Sequence, residues 1–244
     1  MQEKVQFTGI VVKNLDYQDN AQIVYILTKD ELISVIIKGA KKIDSKTRPL
    51  AQIITKISGL RTKSSRISTF TEGFILDNFN NIKLDNNKSL INMAIIEKIV
   101  TFSTHIDNPK QFFDFCLLIF KLLDSTKYPS IVLNLFEIKL LYLIGIAPVL
   151  NHCLRCNSNT NLLLSINNGG TVCSKCAHQL GYNLNSSETE LFKYLYLIKL
   201  EKIDEEFLKI VSNLNIKLDE NIDKYYERHI DFHSKTKKII KKVL

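Results

Sequence analysis

The first eighty residues alternate polar and apolar positions in short runs. Residues 4–12, 22–28, 31–37, 52–60 and 66–76 are rich in Val, Ile, Thr, Phe and Tyr and are separated by polar or Gly/Pro-bearing turns, which predicts five strands. Five short strands fit a small barrel, either an OB-fold or an SH3-like one. In the second and third runs apolar residues fall on both parities (Ile23, Tyr25 and Leu27 against Val24 and Ile26), as when one face lines a barrel and the other is covered.

Past Asn80 the period becomes helical. Ile91, Ile95, Ile99 and Phe102 form a stripe that Ile96 and Val100 widen. A second helix is expected to open with Asn108 as N-cap and Pro109 in its first turn, and a third to run from near Pro129 to about Gly145, before Pro148. The apolar stretch 131–150 carries Asn134, Glu137 and Lys139 and reads as a buried core helix rather than a membrane span. Residues 150–180 are small, polar and cysteine-bearing. Beyond them Ser187 and Glu190 have capping-box spacing, Asp204 is a further N-cap candidate, and 219–243 suits one long last helix. The surplus of apolar side chains around Phe112, Phe113, Leu117 and Phe120 makes a groove between two helices available, unless the core consumes it.

Charge adds a direction to this plan. The 244 residues carry 33 Lys+Arg against 25 Asp+Glu, a net +8, and the excess is segregated. Between residues 38 and 66 stand Lys38, Lys41, Lys42, Lys46, Arg48, Lys56, Arg61, Lys63 and Arg66 against Asp44 alone. Lys38, Lys41, Lys42, Lys46 and Arg48 fall in or beside the loop after the third strand, and Arg61, Lys63 and Arg66 around the turn between the last two. Basic loops on one barrel suit a polyanion held through its phosphates. Tyr17, Tyr25, Phe70 and Phe79 are candidates to stack bases, with core packing as the default for each. The last lysines (Lys235, Lys237, Lys238, Lys241 and Lys242) are read first as solvated or as complementing a helix dipole, and only then as extending a DNA track.

The sharpest chemical signal is Cys153-Leu-Arg-Cys156 followed by Cys173-Ser-Lys-Cys176. Two thiolates from each of two tight turns complete a tetrahedron around a soft ion, above all a structural Zn2+, with iron or an Fe–S cluster as the lesser alternative. His152 and His178 flank the pairs, but four cysteines already close the shell. Cys116, among Phe115, Leu117 and Leu118, is expected in the core. No secretory signal is present at the N-terminus, so a cytoplasmic location with reduced thiols is expected. No P-loop, dinucleotide fingerprint, nucleophile elbow or deaminase His-x-Glu motif is present, and a non-enzymatic role is expected.

Further residues resemble a known family. Gly9-Ile-Val-Val-Lys13 with Tyr17, then Ile23-Val-Tyr-Ile-Leu-Thr28, Ile37-Lys-Gly-Ala-Lys-Lys42 with Ser45-Lys46, the paired Cys-x-x-Cys, and Tyr226-Glu-Arg-His229 before a Lys-rich end follow in the order of the bacterial RecO family of recombination mediators. The resemblance implies an N-terminal all-β OB-fold barrel (1–80), then an all-α domain in two parts (81–149 and 182–244) interrupted by a small four-cysteine zinc module (150–181). It also implies binding of single- and double-stranded DNA, annealing of complementary strands, and partnership with RecR and the SSB C-terminal tail in loading RecA, at the nucleoid. An RNA-binding OB/zinc module in translation or transcription is the competing reading, and a zinc-stabilised adaptor a third.

Overall fold

The computed structural model describes residues 3–64 and 67–243. The chain forms two compact units, Met1–Asn92 with Ile96–Asp124, and Met93–Ile95 with Ser125–Leu244. The first unit thus takes in the strands together with most of the helical residues up to Asp124.

In the first unit β1 (Lys4–Tyr17), β2 (Ala21–Thr28), β3 (Leu32–Lys38), β4 (Lys56–Thr62) and β5 (Ser68–Asp77) close into a barrel in the order β1-β2-β3-β5-β4. All pairs are antiparallel except β3 with β5. This is the OB-fold arrangement of the two candidates. Phe7, Val11, Val24, Ile26, Val35, Ile37, Ile57 and Phe70 fill the interior. Gly59 and Gly73 face each other across β4 and β5, and a Cβ on either would come within 3.0 Å of the Phe70 ring. Phe70 therefore belongs to the core, as does Phe79.

Two strand ends differ from the pattern. A register shift between Val11 and Lys13 lets β1 run on beside β2 as far as Tyr17. Residues 52–55 are not strand: Pro49–Ala51 makes a 3₁₀ turn and Ile54 has φ 60°, so β4 begins only at Lys56.

The same unit holds α1 (Asn80–Leu84), most of α2 (Asn86–Phe102) and α3 (Pro109–Ser125). Asn108 Oδ1 accepts the Gln111 N–H at 3.0 Å, the expected cap with Pro109 opening the helix. Phe112, Phe113, Cys116, Ile119, Phe120 and Leu123 are buried. Of the residues expected to line a groove, Phe112, Phe113 and Phe120 are buried in the core instead, and Leu117 is half-buried.

The second unit is built on α4 (Pro129–Leu143), whose neighbours are α6 (Ser186–Leu197), α7 (Glu205–Asn213) and α8 (Asp219–Ile230). Gly145, at φ +77°, ends the α4 region. Between α4 and α6 come a hairpin of β6 (Leu162–Ser165) and β7 (Gly170–Cys173) and then α5 (Ser174–Leu180). The capping box of α6 is Asn185 with Glu188, not Ser187 with Glu190. Starting the helix there buries Thr189, Leu191, Phe192 and Leu195, and the Thr189 hydroxyl accepts the Leu164 N–H at 2.8 Å. Asp204 caps α7 as expected, accepting the Phe207 N–H at 2.8 Å.

The last helix is two helices. Asp231, at φ 51°, ends α8, and α9 (Lys235–Val243) follows. The break lets Lys237 reach buried Glu137 at 2.9 Å and Asp223 at 2.6 Å, so this lysine is neither solvated nor available to DNA. Tyr226 adds a bond from its hydroxyl to the Glu137 carbonyl at 2.8 Å. Among the described residues no helix is long and apolar enough to cross a membrane.

Candidate metal centre and nucleic-acid interface

The four expected cysteines meet: the Sγ atoms of Cys153, Cys156, Cys173 and Cys176 all lie within 4.8 Å of one another, with Cys156 and Cys173 at 3.6 Å. Four thiolates about 2.3 Å from one ion would stand about 3.8 Å apart, so the cluster has the dimensions of a tetrahedral thiolate shell. Local structure explains the convergence. The first turn is closed by the Asn157 N–H to the Cys153 carbonyl at 2.9 Å, with Asn157 at φ 58°. The second pair stands at the junction of β7 and α5, where Cys173 is the N-cap and Cys176 lies in the first turn. The hairpin between the pairs, tightened by Gly169 at φ 68°, folds one back on the other.

Electrostatics at the cluster favour a cation. Burial opposes ionisation of Cys153, but the N–H groups of Cys173, Cys156 and Arg155 aim at its sulfur and bring the thiol down to about 6. Cys173 is also lowered, chiefly by the Cys176 N–H. Cys176 is pushed up to about 12 by its bond to Cys173 and by burial. Two thiols ionise readily and a later one resists the accumulating charge, which a divalent ion would neutralise. Beneath the site Leu162, Val172 and Ala177, with half-buried Leu163 and Leu180, pack against the cysteines. Such a small core leaves the segment dependent on a cross-link of some kind. His178 is exposed and outside the cluster, and Cys116 is buried with its thiol pushed well up by desolvation.

The basic residues are not brought together as one surface. β1, running from Lys4 to Tyr17, is antiparallel to β2 and β4, and β3 is parallel to β5. The loop after β3 and the turn after β4 therefore lie at opposite ends of the barrel. In the first, Lys38, Lys41, Lys42, Lys46 and Arg48 are all exposed. Their backbone is ordered by successive bonds from Lys42 to Gly39, Ser45 to Lys42 and Arg48 to Ser45. Buried Ala40, Leu50 and Ala51 anchor the loop to the barrel core. Gly39, at φ +76°, has the Ser45 hydroxyl 2.9 Å from where a Cβ would stand, so a larger residue is disfavoured on two counts. Lys41 pairs with Asp16 at 3.2 Å; the Gln22 amide first and Lys41 second hold that carboxyl below its usual range.

At the other end the charges are already engaged. Arg61 is largely buried, donates to Ser68 Oγ at 2.7 Å and lies 3.9 Å from Glu31. Lys63 pairs with Glu3 at 2.9 Å. Arg66 lies outside the described residues.

Comparison with known proteins accords with this geometry. The family model described as Recombination protein O N terminal matches residues 1–79, and Recombination protein O C terminal matches 93–238. The chain is 27% identical over 238 residues to the DNA repair protein RecO of Shouchella clausii, covering 95% of this chain and 92% of that one. It is 27% identical over 237 residues to the DNA repair protein RecO of Bacillus subtilis, with the same coverage, and 22% identical over 246 residues to that of Listeria monocytogenes. A barrel and a helical domain matched in order by both halves of one family place this chain in the RecO family of DNA repair proteins.

Proposed function

We propose that this chain is a non-enzymatic recombination mediator that binds single- and double-stranded DNA and anneals complementary strands. With RecR, it helps load RecA onto SSB-coated single strands. The observation that carries the reading is the exposed, ordered loop of Lys38, Lys41, Lys42, Lys46 and Arg48 on an OB barrel of a RecO-family chain. Five cations on a pinned backbone neutralise phosphates without selecting bases, which annealing of arbitrary complements requires. Screening the repulsion between two strands is then the loop's contribution to annealing.

Cys153, Cys156, Cys173 and Cys176 would hold a Zn2+, which supplies neutralisation and a cross-link rather than reactivity. The SSB tail, acidic and apolar at its end, needs exposed apolar side chains. In the helical unit these include Tyr194 and Leu197 on α6 and Ile210 on α7, next to the Tyr194–Phe207 ring contact at 5.8 Å. The test is annealing of labelled complementary oligonucleotides, bare and SSB-coated, with and without RecR. Acceleration in both formats is expected, and a chain that binds DNA but accelerates neither would overturn the mediator reading.

A further inference from the structure

The end of the barrel away from the basic loop is not filled by side chains. β1 and β3 begin there, and β2 and β4 end there. Between them lies a cavity of about 360 Å³, within the range of small-molecule sites. Val5, Phe7, Ile33 and Phe113 give it apolar walls, and Arg61 and Glu31 are part of its charged lining.

Arg61 occupies a position where a barrel ordinarily carries an aliphatic side chain. It stands opposite Val5 on one side and Phe70 on the other. Phe70 is interior and Val5 shares the parity of interior Phe7, so Arg61 is at an inward position, its side chain 16% exposed. The guanidinium is only partly matched. Its Nη1 donates to Ser68 Oγ at 2.7 Å. Its Nη2 lies 3.9 Å from Glu31, an ion pair too long for a hydrogen bond. Its buried Nε–H has no acceptor among the described residues. Burying a cation with so few acceptors is unfavourable, and an acceptor supplied by a ligand relieves it.

Glu31 is held within reach of that ligand. The Thr28 hydroxyl accepts the N–H groups of Asp30 at 3.3 Å and Glu31 at 3.1 Å and donates to the Glu31 carbonyl at 2.7 Å, which fixes the β2–β3 turn. Lys29 in the same turn pairs with Asp114 at 3.6 Å rather than with Glu31. The cavity therefore sets a group that can only donate beside a group that, ionised, can only accept. A ligand edge that satisfies both carries an acceptor next to donors. Guanine has this edge: O6 accepts from the guanidinium, and N1–H and N2–H₂ donate to the two carboxylate oxygens. Adenine offers the carboxylate a single amino group, and uracil turns a second carbonyl towards it. The flat apolar faces of a base suit the walls.

We propose that this cavity binds the guanine base of a free nucleotide, with Arg61 donating to O6 and Glu31 accepting from N1 and N2. The site lies at the opposite end of the barrel from the loop cations, and it stands or falls independently of the DNA-binding reading.

The experiment is isothermal titration calorimetry of the full chain with GMP, IMP, AMP and UMP. GMP should bind most tightly, IMP, which lacks the N2 amino group, about fivefold more weakly, and AMP and UMP at least about tenfold more weakly. Glu31→Gln, a change to an exposed side chain, should bring GMP down to the level of AMP. Lys42→Glu with Lys46→Glu should leave GMP binding unchanged. Arg61→Met should abolish it, yet unfold in urea no earlier than the unaltered chain, because an apolar side chain replaces a partly matched charge at an inward position.

No heat with GMP up to about 1 mM would overturn the assignment. Equal binding of the four nucleotides would overturn it as well, as would GMP affinity retained in Glu31→Gln. These comparisons hold even if Arg61→Met fails to fold.

Discussion

Lysines alike in composition do different things once their surroundings are counted. Lys237 is buried between Glu137 and Asp223, whereas Lys42 and Lys46 are exposed on the loop. Replacing Lys237 by Met strands two carboxylates beneath the surface and should cost about 3–5 kcal/mol in urea unfolding at neutral pH, whereas a well-behaved surface change costs within about 0.5. The sign with pH follows. Burial alone would lower the ammonium, but Glu137 and Asp223 raise it above 10.5. Its contribution is therefore complete below the ordinary lysine value and is lost as pH climbs through the raised one, so above neutral pH the gap between the two proteins should narrow in that alkaline range. Lys42→Glu with Lys46→Glu should instead leave stability unchanged and weaken DNA binding on titration by anisotropy. This pair is a cleaner test than one containing Lys41, whose reversal would also set a glutamate beside Asp16. None of this distinction is legible along the sequence, since burial of Lys237 depends on α9 returning to α4 across 100 positions.

At the scale of elements, legibility follows locality. The five strands, the Asn108 cap and the Cys-x-x-Cys turns are set by residues within a few positions of each other, and they form where the pattern puts them except at the end of β1 and the start of β4. The break at Asp231 and the start of α6 are decided by distant partners, Glu137 for one and Leu164 for the other. Asn185→Ala should remove one half of the capping box at a cost of about 1 kcal/mol, read by chemical denaturation. Ser187→Ala, at the position that sequence spacing favours, should cost less. The metal module gives a second prediction. One Zn2+ per chain is expected by elemental analysis, and a chelator should raise hydrogen exchange in residues 150–181 before the helices respond, because so little apolar core lies under the cysteines. The Cys153 thiol at about 6 and the Cys176 thiol at about 12 set the sign of its pH dependence: metal binding releases protons, so affinity should fall as the solution is made more acidic.

For the whole molecule the net charge of +8 says less than its distribution. Composition groups Lys38 to Arg66 as one basic window, but strand direction sends its two parts to opposite ends of the barrel and ion pairs occupy Arg61 and Lys63. The outward parity of Leu15 and Tyr17 is legible only after the shift between Val11 and Lys13, because without it the inward parity of Phe7 and Val11 would carry on through Lys13 and Leu15. Within that window the loop after β3 gathers five exposed cations at one end of the barrel. Counterion release then bounds the salt response: at about 0.7 ions per neutralised phosphate on a single strand, full engagement of the loop gives a slope of log affinity against log salt near −3.5. Measured between about 50 and 200 mM salt, a slope near −3.5 that flattens by about 1.4 in the Lys42→Glu, Lys46→Glu chain would mark the loop as the phosphate contact. A slope of that size left unchanged by both reversals would instead assign the phosphates to other cations, of which Lys235, Lys238 and Lys242 on α9 are exposed.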